Sequence, residues 1–357
     1  MTELLADHTT LRVGGPARRF VTAHTTDELV HEVRTADAAG EPLLILGGGS
    51  NLLVGDDGFD GTVIQVATRG REITAGSCTI DTPGAAMCGG AVVTVAAGEE
   101  WDDFVALAIE QEWRGIEALS GIPGLVGSTP IQNVGAYGQD VSQSMWSVRT
   151  YDRQSGGYRT FAAGDCGFGY RTSVFKQQPG RYVVLEVTFQ FREGNMSVPL
   201  RFGELARRLG IDPGGRAPMA EVREAVLELR GGKGMVLDPL DHDTWSAGSF
   251  FTNPVLAAAQ AAELPDDAPR YPAPDGTVKT SAAWLIEHAG FPKGYGTPPV
   301  TLSTKHALAL TNRGGATAAD VVALARELRD GVRDRFGIAL VPEPVLVGVS
   351  LDARATV

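Results

Sequence analysis

The stretch GSFFTNP, residues 248–254, sets Ser249 between a glycine and two phenylalanines. A serine hydroxyl can do three things in such a place. As a nucleophile it needs a base to take its proton. The sequence puts none beside it: His242 lies in DHDTW, and no G-x-S-x-G elbow surrounds Ser249. As a turn residue it bonds its own backbone. As a proton donor it needs positioning but no adjacent base. These seven residues do not choose among the three.

Two glycine-rich stretches carry a second kind of chemistry. LLILGGGSNLLV, residues 43–54, reads as strand, turn, strand. A dinucleotide fingerprint of the Rossmann kind must lead into a helix, and here β character resumes at Leu52, so that reading is rejected. A tight turn rich in amides still suits phosphate oxygens, and a plain glycine hairpin suits the residues equally well. GIPGLVGSTPIQNVGAYGQ, residues 121–139, holds five glycines, two prolines and almost no charge. Long loops of this kind in a compact domain are usually functional or disordered, and Ile122, Leu125, Val126, Ile131 and Val134 are too apolar for disorder. Its Gly127 and Ser128 amides, with the Asn133 side chain, are expected to meet phosphate or the polar edge of a flat ring. Two such loops in one β-rich region suggest a dinucleotide with a diphosphate at its centre.

The elements that must position these groups follow from periodicity and caps. Residues 25–40 read as a capped amphipathic helix with Leu29, Val30 and Val33 inward. Strands are expected at 42–46, 52–54, 62–67, 91–98, 145–152 and 182–191, with a helix at 101–112 among them. Further helices are expected within 219–234, where Val222, Ala225, Val226 and Leu229 recur at helical spacing, and at 282–289 and 317–336, with a closing strand at 339–348. The whole is an α+β chain with no internal repeat.

Composition limits the partners. The 357 residues suffice for two or three domains. An excess of 43 acidic over 31 basic residues, a formal charge of −12, argues against nucleic acid. The N-terminus shows no secretory h-region and no run of about 18 apolar residues suggests a membrane span. Cys78, Cys88 and Cys166 fit no metal spacing and no disulfide framework, so reduced thiols in a cytoplasm and no metal site are expected.

GGGSNLLV, GIPGLVGSTPIQNVGAYG, GYRTSVFK (residues 169–176) and SAGSFFTNPV (246–255), in that order, resemble the UDP-N-acetylenolpyruvoylglucosamine reductases, also called UDP-N-acetylmuramate dehydrogenases. These are flavoenzymes of bacterial peptidoglycan precursor synthesis. The resemblance runs from about residue 8 to 348. It implies noncovalent FAD, NADPH as hydride donor, and UDP-N-acetylglucosamine enolpyruvate as the substrate reduced to UDP-N-acetylmuramate. It implies a cytoplasmic monomer of three lobes: residues 1–67 with 344–357, residues 68–229, and residues 230–343. The first two form an FAD module of the vanillyl-alcohol-oxidase type and the third is the substrate lobe.

The resemblance also assigns residues. Ser249 becomes the proton donor to the carbon bearing the carboxylate, which needs no base because it gives a proton rather than attacking. Arg171 and Glu343 meet the negative charge that hydride addition sends into that carboxylate. Read alone, Arg171 is a strand-end arginine and Glu343 a solvated carboxylate between two prolines. FAD falls to Gly47, Gly48, Gly49, Ser50, Asn51, Ile122, Pro123, Gly124, Gly127, Ser128, Thr129, Asn133 and Gly135. The substrate falls to Phe202, Lys233, Asn253 and Tyr271. His306, in TKHALAL, reads as a core or strand-edge histidine.

Three positions depart from the family pattern. PLRFGEL, residues 199–205, aligns with a loop that closes over the substrate, but Phe202 stands where a tyrosine is usual. Pro344 replaces an aliphatic residue after Glu343, and GSTP replaces GSSP. A related FAD oxidase would often tether its flavin through His or Cys, and neither lies in or beside the glycine loops. A nucleotide-binding regulator would not require Arg171, Ser249 and Glu343 together.

Overall fold

Thr25 starts the first helix as its residue type demands. Its hydroxyl accepts the Glu28 N–H, and the Glu28 carboxylate accepts the Thr25 N–H, a reciprocal cap that opens Thr26–Ala38. The computed structural model describes residues 3–75 and 90–352. Over its described residues the chain divides into two compact units. One comprises Met1–Arg18, Gly49–Asp60 and Gly232–Val357, the other Arg19–Gly48 and Gly61–Gly231. This is a coarser division than the three lobes expected. Cys78 and Cys88 lie outside the described residues.

The unit centred on Gly61–Gly231 is built on a six-stranded sheet. Its order is Gly157–Ala162, Met145–Asp152, Tyr182–Glu193, Gly90–Ala96 and Arg71–Ala75, with Trp113–Arg114 pairing separately on Tyr182–Glu193. Gly90–Ala96 alternates buried and half-buried residues, placing Ala91, Val93 and Val95 on one face. Against them pack Phe104 and Trp101 of the helix Trp101–Glu110, and Phe104 meets Phe189 at a centroid distance of 5.1 Å. A three-stranded sheet, Ala17–Ala23, Phe59–Val66 and Leu43–Leu46, continues this core. The helix Thr26–Ala38 buries Leu29, Val30, Val33 and Ala36 there. Arg153 holds Asp37 of that helix with two nitrogens. A small third core, with Ala118, Leu200, Leu205, Val222 and Val226, lies beneath the helices Gly203–Arg208 and Met219–Gly231.

The other unit has its own core, from Leu11 and Leu53 through Phe250 and Phe251 to Leu328 and Val332. The long helix Ala318–Phe336 supplies much of it, opened by a Thr317–Asp320 capping box and closed by Gly337 at φ 68°. Gly296–Thr297, Val300–Leu302 and Leu310–Asn312 form one antiparallel sheet, and Val255–Ala257, Thr277–Lys279 and Tyr271–Pro272 another.

The closing strand is shorter than expected. Val345–Val347 forms a strand, in parallel with Leu52–Val54, and before it Pro342 makes only an isolated bridge with Phe251. Pro342 and Pro344 have no N–H to give a ladder, so the chain between them is irregular. The loop 121–139 also carries more structure than its pattern showed: a 3-10 turn at Val126–Ser128 and a hairpin of Gly135–Ala136 with Gln139–Asp140. The class is α+β, and among the described residues no helix is long and apolar enough to cross a membrane.

Candidate functional site

In the larger unit the two glycine loops meet backbone to backbone. A Cβ on Gly47 would lie 2.6 Å from the Ser128 hydroxyl, and one on Gly48 2.8 Å from the Gly124 Cα. At Gly48 the close atom is backbone, so glycine is required there; at Gly47 only the Ser128 side chain would have to give way. Val126, Gly127 and Ser128 follow the strand Gly90–Ala96 because Val126 donates to the Glu99 carbonyl and Gly127 to the Ala97 carbonyl.

That geometry corrects one expectation. The Gly127 amide donates to Ala97 and the Ser128 amide to Leu125, so neither can meet a phosphate. The Thr129 amide and hydroxyl both donate to the Val126 carbonyl. What this turn offers a ligand is its shape and the Ser128 hydroxyl. Ile122 packs against the large core, Gly124 accepts the Trp101 N–H, and Gly121 donates to Asp102 across 2.6 Å. Arg223 grips the same Asp102 with two nitrogens, at 2.7 and 2.8 Å. Burial works to raise the Asp102 pKa, but Arg223, the Gly121 N–H and the charge of Arg230 hold it below the usual carboxylate range.

Arg171 sits at the tip of a tight turn closed by reciprocal hydrogen bonds between Gly169 and Thr172. Its φ is +53°, a left-handed conformation that costs a side chain bearing a Cβ about 1–2 kcal/mol. Three hydrogen bonds tie this turn to the second glycine loop. Arg171 donates to the Gly135 carbonyl at 2.9 Å, Asn133 to the Gly169 carbonyl at 3.2 Å, and Ser173 to the Ile131 carbonyl at 2.5 Å. Asn133, itself at φ 47°, also accepts the Ser142 N–H. Its carboxamide therefore braces the loop around Arg171. Positive φ at both residues concentrates backbone strain where the candidate chemistry lies.

The sequence reading did not single out Tyr137 or Arg230. Tyr137, at φ 49°, and Gly138, at φ 81°, turn the small hairpin, and the Tyr137 ring meets Phe202 edge-on at 5.4 Å. Phe202 is 43% exposed at the N-cap of Gly203–Arg208. Burial holds the Arg230 guanidinium down to about 10, partly offset by Tyr137 and Asp102 and reinforced by the positive charge of Arg171. Two guanidinium groups that feel one another form a field suited to an anion. No sequence pattern signals this, because Arg230 ends an ordinary amphipathic helix.

The smaller unit assembles a second group of residues around Ser249. Gly248, at φ 71°, closes a turn in which its N–H donates to Ser246, and Ser249 follows it. Two segments flank it. On one side the Phe250 N–H donates to the Leu308 carbonyl at 2.7 Å. On the other the Glu343 N–H donates to the Phe250 carbonyl at 2.8 Å, and Thr252 to Val341. Glu343 thus lies on the chain segment bonded beside Ser249. Asn51 adjoins Glu343: its side chain donates to the Glu343 carbonyl, and its own carbonyl accepts the Val345 N–H. Gly49, Ser50 and Asn51 belong to this unit and Gly47 and Gly48 to the other.

The flank at Leu308 brings a second correction. His306 is half-buried in the turn between Val300–Leu302 and Leu310–Asn312, and its Nε2 lies 3.4 Å from the Ser249 Oγ. Of the two readings, strand edge rather than core fits it, and Ser249 does have a titratable neighbour.

The remaining residues stand apart from that line. The Asn253 Oδ1 accepts the Ala282 N–H at the start of Ala282–His288, so its NH2 end is the one that can face an anion. Tyr271 is exposed and pairs with Lys279, which also pairs with Val255. Lys233 is half-buried just after the helix Met219–Gly231. Cys166 is a buried thiol that burial pushes up to about 12, which leaves it unreactive.

Residues 238–347 match the family described as UDP-N-acetylenolpyruvoylglucosamine reductase, C-terminal domain, and residues 17–156 match an FAD binding domain. The chain is 60% identical over 350 residues to the UDP-N-acetylenolpyruvoylglucosamine reductase of Cutibacterium acnes, covering 97% of this chain and 90% of that one. It is 56% identical to the enzyme of that name from Thermobifida fusca, covering 97% of both. Among solved structures, UDP-N-acetylenolpyruvylglucosamine reductase from Thermus caldophilus superposes with a TM-score of 0.63 at 26% identity, over 97% of this chain and 98% of that one.

Proposed function

Since the chain belongs to the UDP-N-acetylenolpyruvoylglucosamine reductase family, FAD-dependent oxidoreductases of peptidoglycan synthesis, we propose that it reduces UDP-N-acetylglucosamine enolpyruvate to UDP-N-acetylmuramate, drawing on NADPH, with Ser249 as the proton donor. The observation that carries the assignment of Ser249 is the Glu343 N–H on the Phe250 carbonyl. It sets a carboxylate-bearing residue beside the serine although the two are far apart in sequence.

The residues present fit FAD. Gly47 closely faces Ser128 and Gly48 closely faces Gly124, which leaves a narrow surface of backbone and one hydroxyl. Gly47, Gly48, Gly49, Ser50 and Asn51, with 122–124, 127–129, Asn133 and Gly135, are the residues we assign to it. When bound, FAD supplies the hydride for the vinyl carbon.

The chain's own groups do the rest. Arg171, strained and braced by Gly135, holds the substrate carboxylate and stabilises the charge that develops there, a contribution that comes from a donor fixed before the reaction. Glu343 assists beside Ser249. Ser249 gives its proton to the carbon bearing the carboxylate. Lys233 and the NH2 of Asn253 meet the diphosphate, Tyr271 lies toward the nucleotide, and Phe202 covers the substrate. The three-lobe division belongs to the same reading.

An anaerobic two-stage mixing experiment tests this. NADPH first bleaches the bound flavin, and UDP-N-acetylglucosamine enolpyruvate then restores its colour. In Ser249→Ala the first stage keeps its rate, and the second slows about 10²–10⁴-fold, the usual contribution of a general acid. Equal slowing of both stages would make the serine structural. No recovery in the unsubstituted protein would defeat the reaction itself.

A further inference from the structure

We propose that His306 is the group that returns a proton to Ser249 during turnover. This rests on the reading of Ser249 as proton donor.

A serine that gives up its proton becomes an alkoxide, and an alkoxide out of bulk water is costly unless a neighbour supplies a proton at the same time. The structure places an imidazole at the oxygen. His306 Nε2 lies 3.4 Å from Ser249 Oγ, a distance at the loose end of the hydrogen-bond range, as catalytic contacts often are before substrate tightens them. The position is built by the backbone on both sides. Phe250, the next residue, donates to the Leu308 carbonyl at 2.7 Å. The His306 and Lys305 N–H groups both donate to the Ser303 hydroxyl, at 3.3 and 3.0 Å, and Ala309 donates back to the His306 carbonyl.

The charged groups around the turn are committed to one another. Lys305 pairs with Asp241 at 2.5 Å, and Asp243 takes the Thr304 N–H and hydroxyl and the Arg313 guanidinium. These contacts anchor the turn, and His306 is the titratable residue it turns toward Ser249.

The proton balance is closed. After hydride addition the carbon bearing the carboxylate forms a bond to the Ser249 proton as the Oγ–H bond breaks. The Oγ then takes the Nε2 proton of the His306 imidazolium, which becomes neutral imidazole and is later reprotonated by water. The serine ends as it began.

The test measures the two half-reactions in His306→Ala and His306→Asn, with melting temperatures to show that both fold. Flavin reduction by NADPH should stay within about twofold of the parent, while flavin recovery on adding UDP-N-acetylglucosamine enolpyruvate should slow on the order of 10²-fold. Added imidazole should speed recovery in His306→Ala with a dependence on its concentration, and His306→Asn, which can donate a hydrogen bond but not pass a proton, should stay slow. Unchanged recovery in His306→Ala, full recovery in His306→Asn, or no response to imidazole would each overturn the relay. Recovery failing in the unsubstituted protein would instead sink the functional reading, and this inference with it.

Discussion

Arg171 donates from Nη2 to the Gly135 carbonyl across 2.9 Å, while its own backbone sits at φ +53°. The bond and the strain belong together: the second glycine loop holds a turn that an arginine would not choose alone. Hydrogen bonds from a charged donor contribute about 1.5–3 kcal/mol and the left-handed conformation costs about 1–2 kcal/mol, so the two nearly cancel. Arg171→Gly should therefore change unfolding stability by no more than about 1 kcal/mol, as read from urea melts, while flavin recovery with the enolpyruvyl substrate collapses. A large loss of stability would mean that Arg171 is present for the fold.

Phe202 meets Tyr137 edge-on and is 43% exposed. If Phe202 covers the substrate as proposed, a hydroxyl added to that exposed ring gains a substrate contact only in the complex. Phe202→Tyr should tighten substrate binding by about 0.5–1.5 kcal/mol, the net value of one neutral hydrogen bond, which is roughly two- to tenfold in Kd. Titration that returns the parent Kd would end the idea.

Glu117 is fully buried and gathers three donors: the Gly115 and Val198 N–H groups and the Gln139 carboxamide. Gln139 in turn accepts the Ala118 N–H, so one carboxylate joins the Gly135–Asp140 hairpin to the segment before Phe202. Glu117→Ala leaves those donors buried and unmatched, and should cost about 3 kcal/mol or more. Chemical denaturation measures it, and a cost below about 1 kcal/mol would show that water replaces the carboxylate.

Acid should weaken the turn that carries His306. Burial pushes the Asp243 pKa upward, but the Thr304 hydroxyl and N–H, Ser303 and Arg313 outweigh it and bring the group from 3.8 down to about 2. A folded pKa below the unfolded one stabilises the protein above the unfolded value, and that stability is lost as pH falls toward the folded value. Asp152, drawn to about 2 chiefly by Arg181 against the effect of burial, acts in the same direction in the other unit. Stability should thus hold above the ordinary aspartate value of 3.8 and fall between there and about 2. Asp243→Asn should flatten that slope, and an unchanged slope would exclude Asp243 as a source.

Much of the molecule is legible in the sequence. The helix at 26–38 is written in Thr25, Glu28 and the spacing of Leu29, Val30 and Val33, all local signals. The strand Met145–Asp152 was read to its ends, and the ordered glycine loops carried the family. These features depend on neighbours in sequence, where caps, alternation and glycine leave a direct trace. The tertiary structure alone decided which amides remain for a ligand and which side chains meet. Gly127 and Ser128 look like phosphate donors until Ala97 and Leu125 take their protons. The strand expected at 339–348 shrinks to Val345–Val347 because Pro342 and Pro344 withhold theirs. His306 reaches Ser249 across 57 positions of chain because Phe250 is bonded to Leu308. A backbone hydrogen bond can close over any separation and leaves no mark on the local pattern, so the serine's neighbour could be found only where the chain had folded.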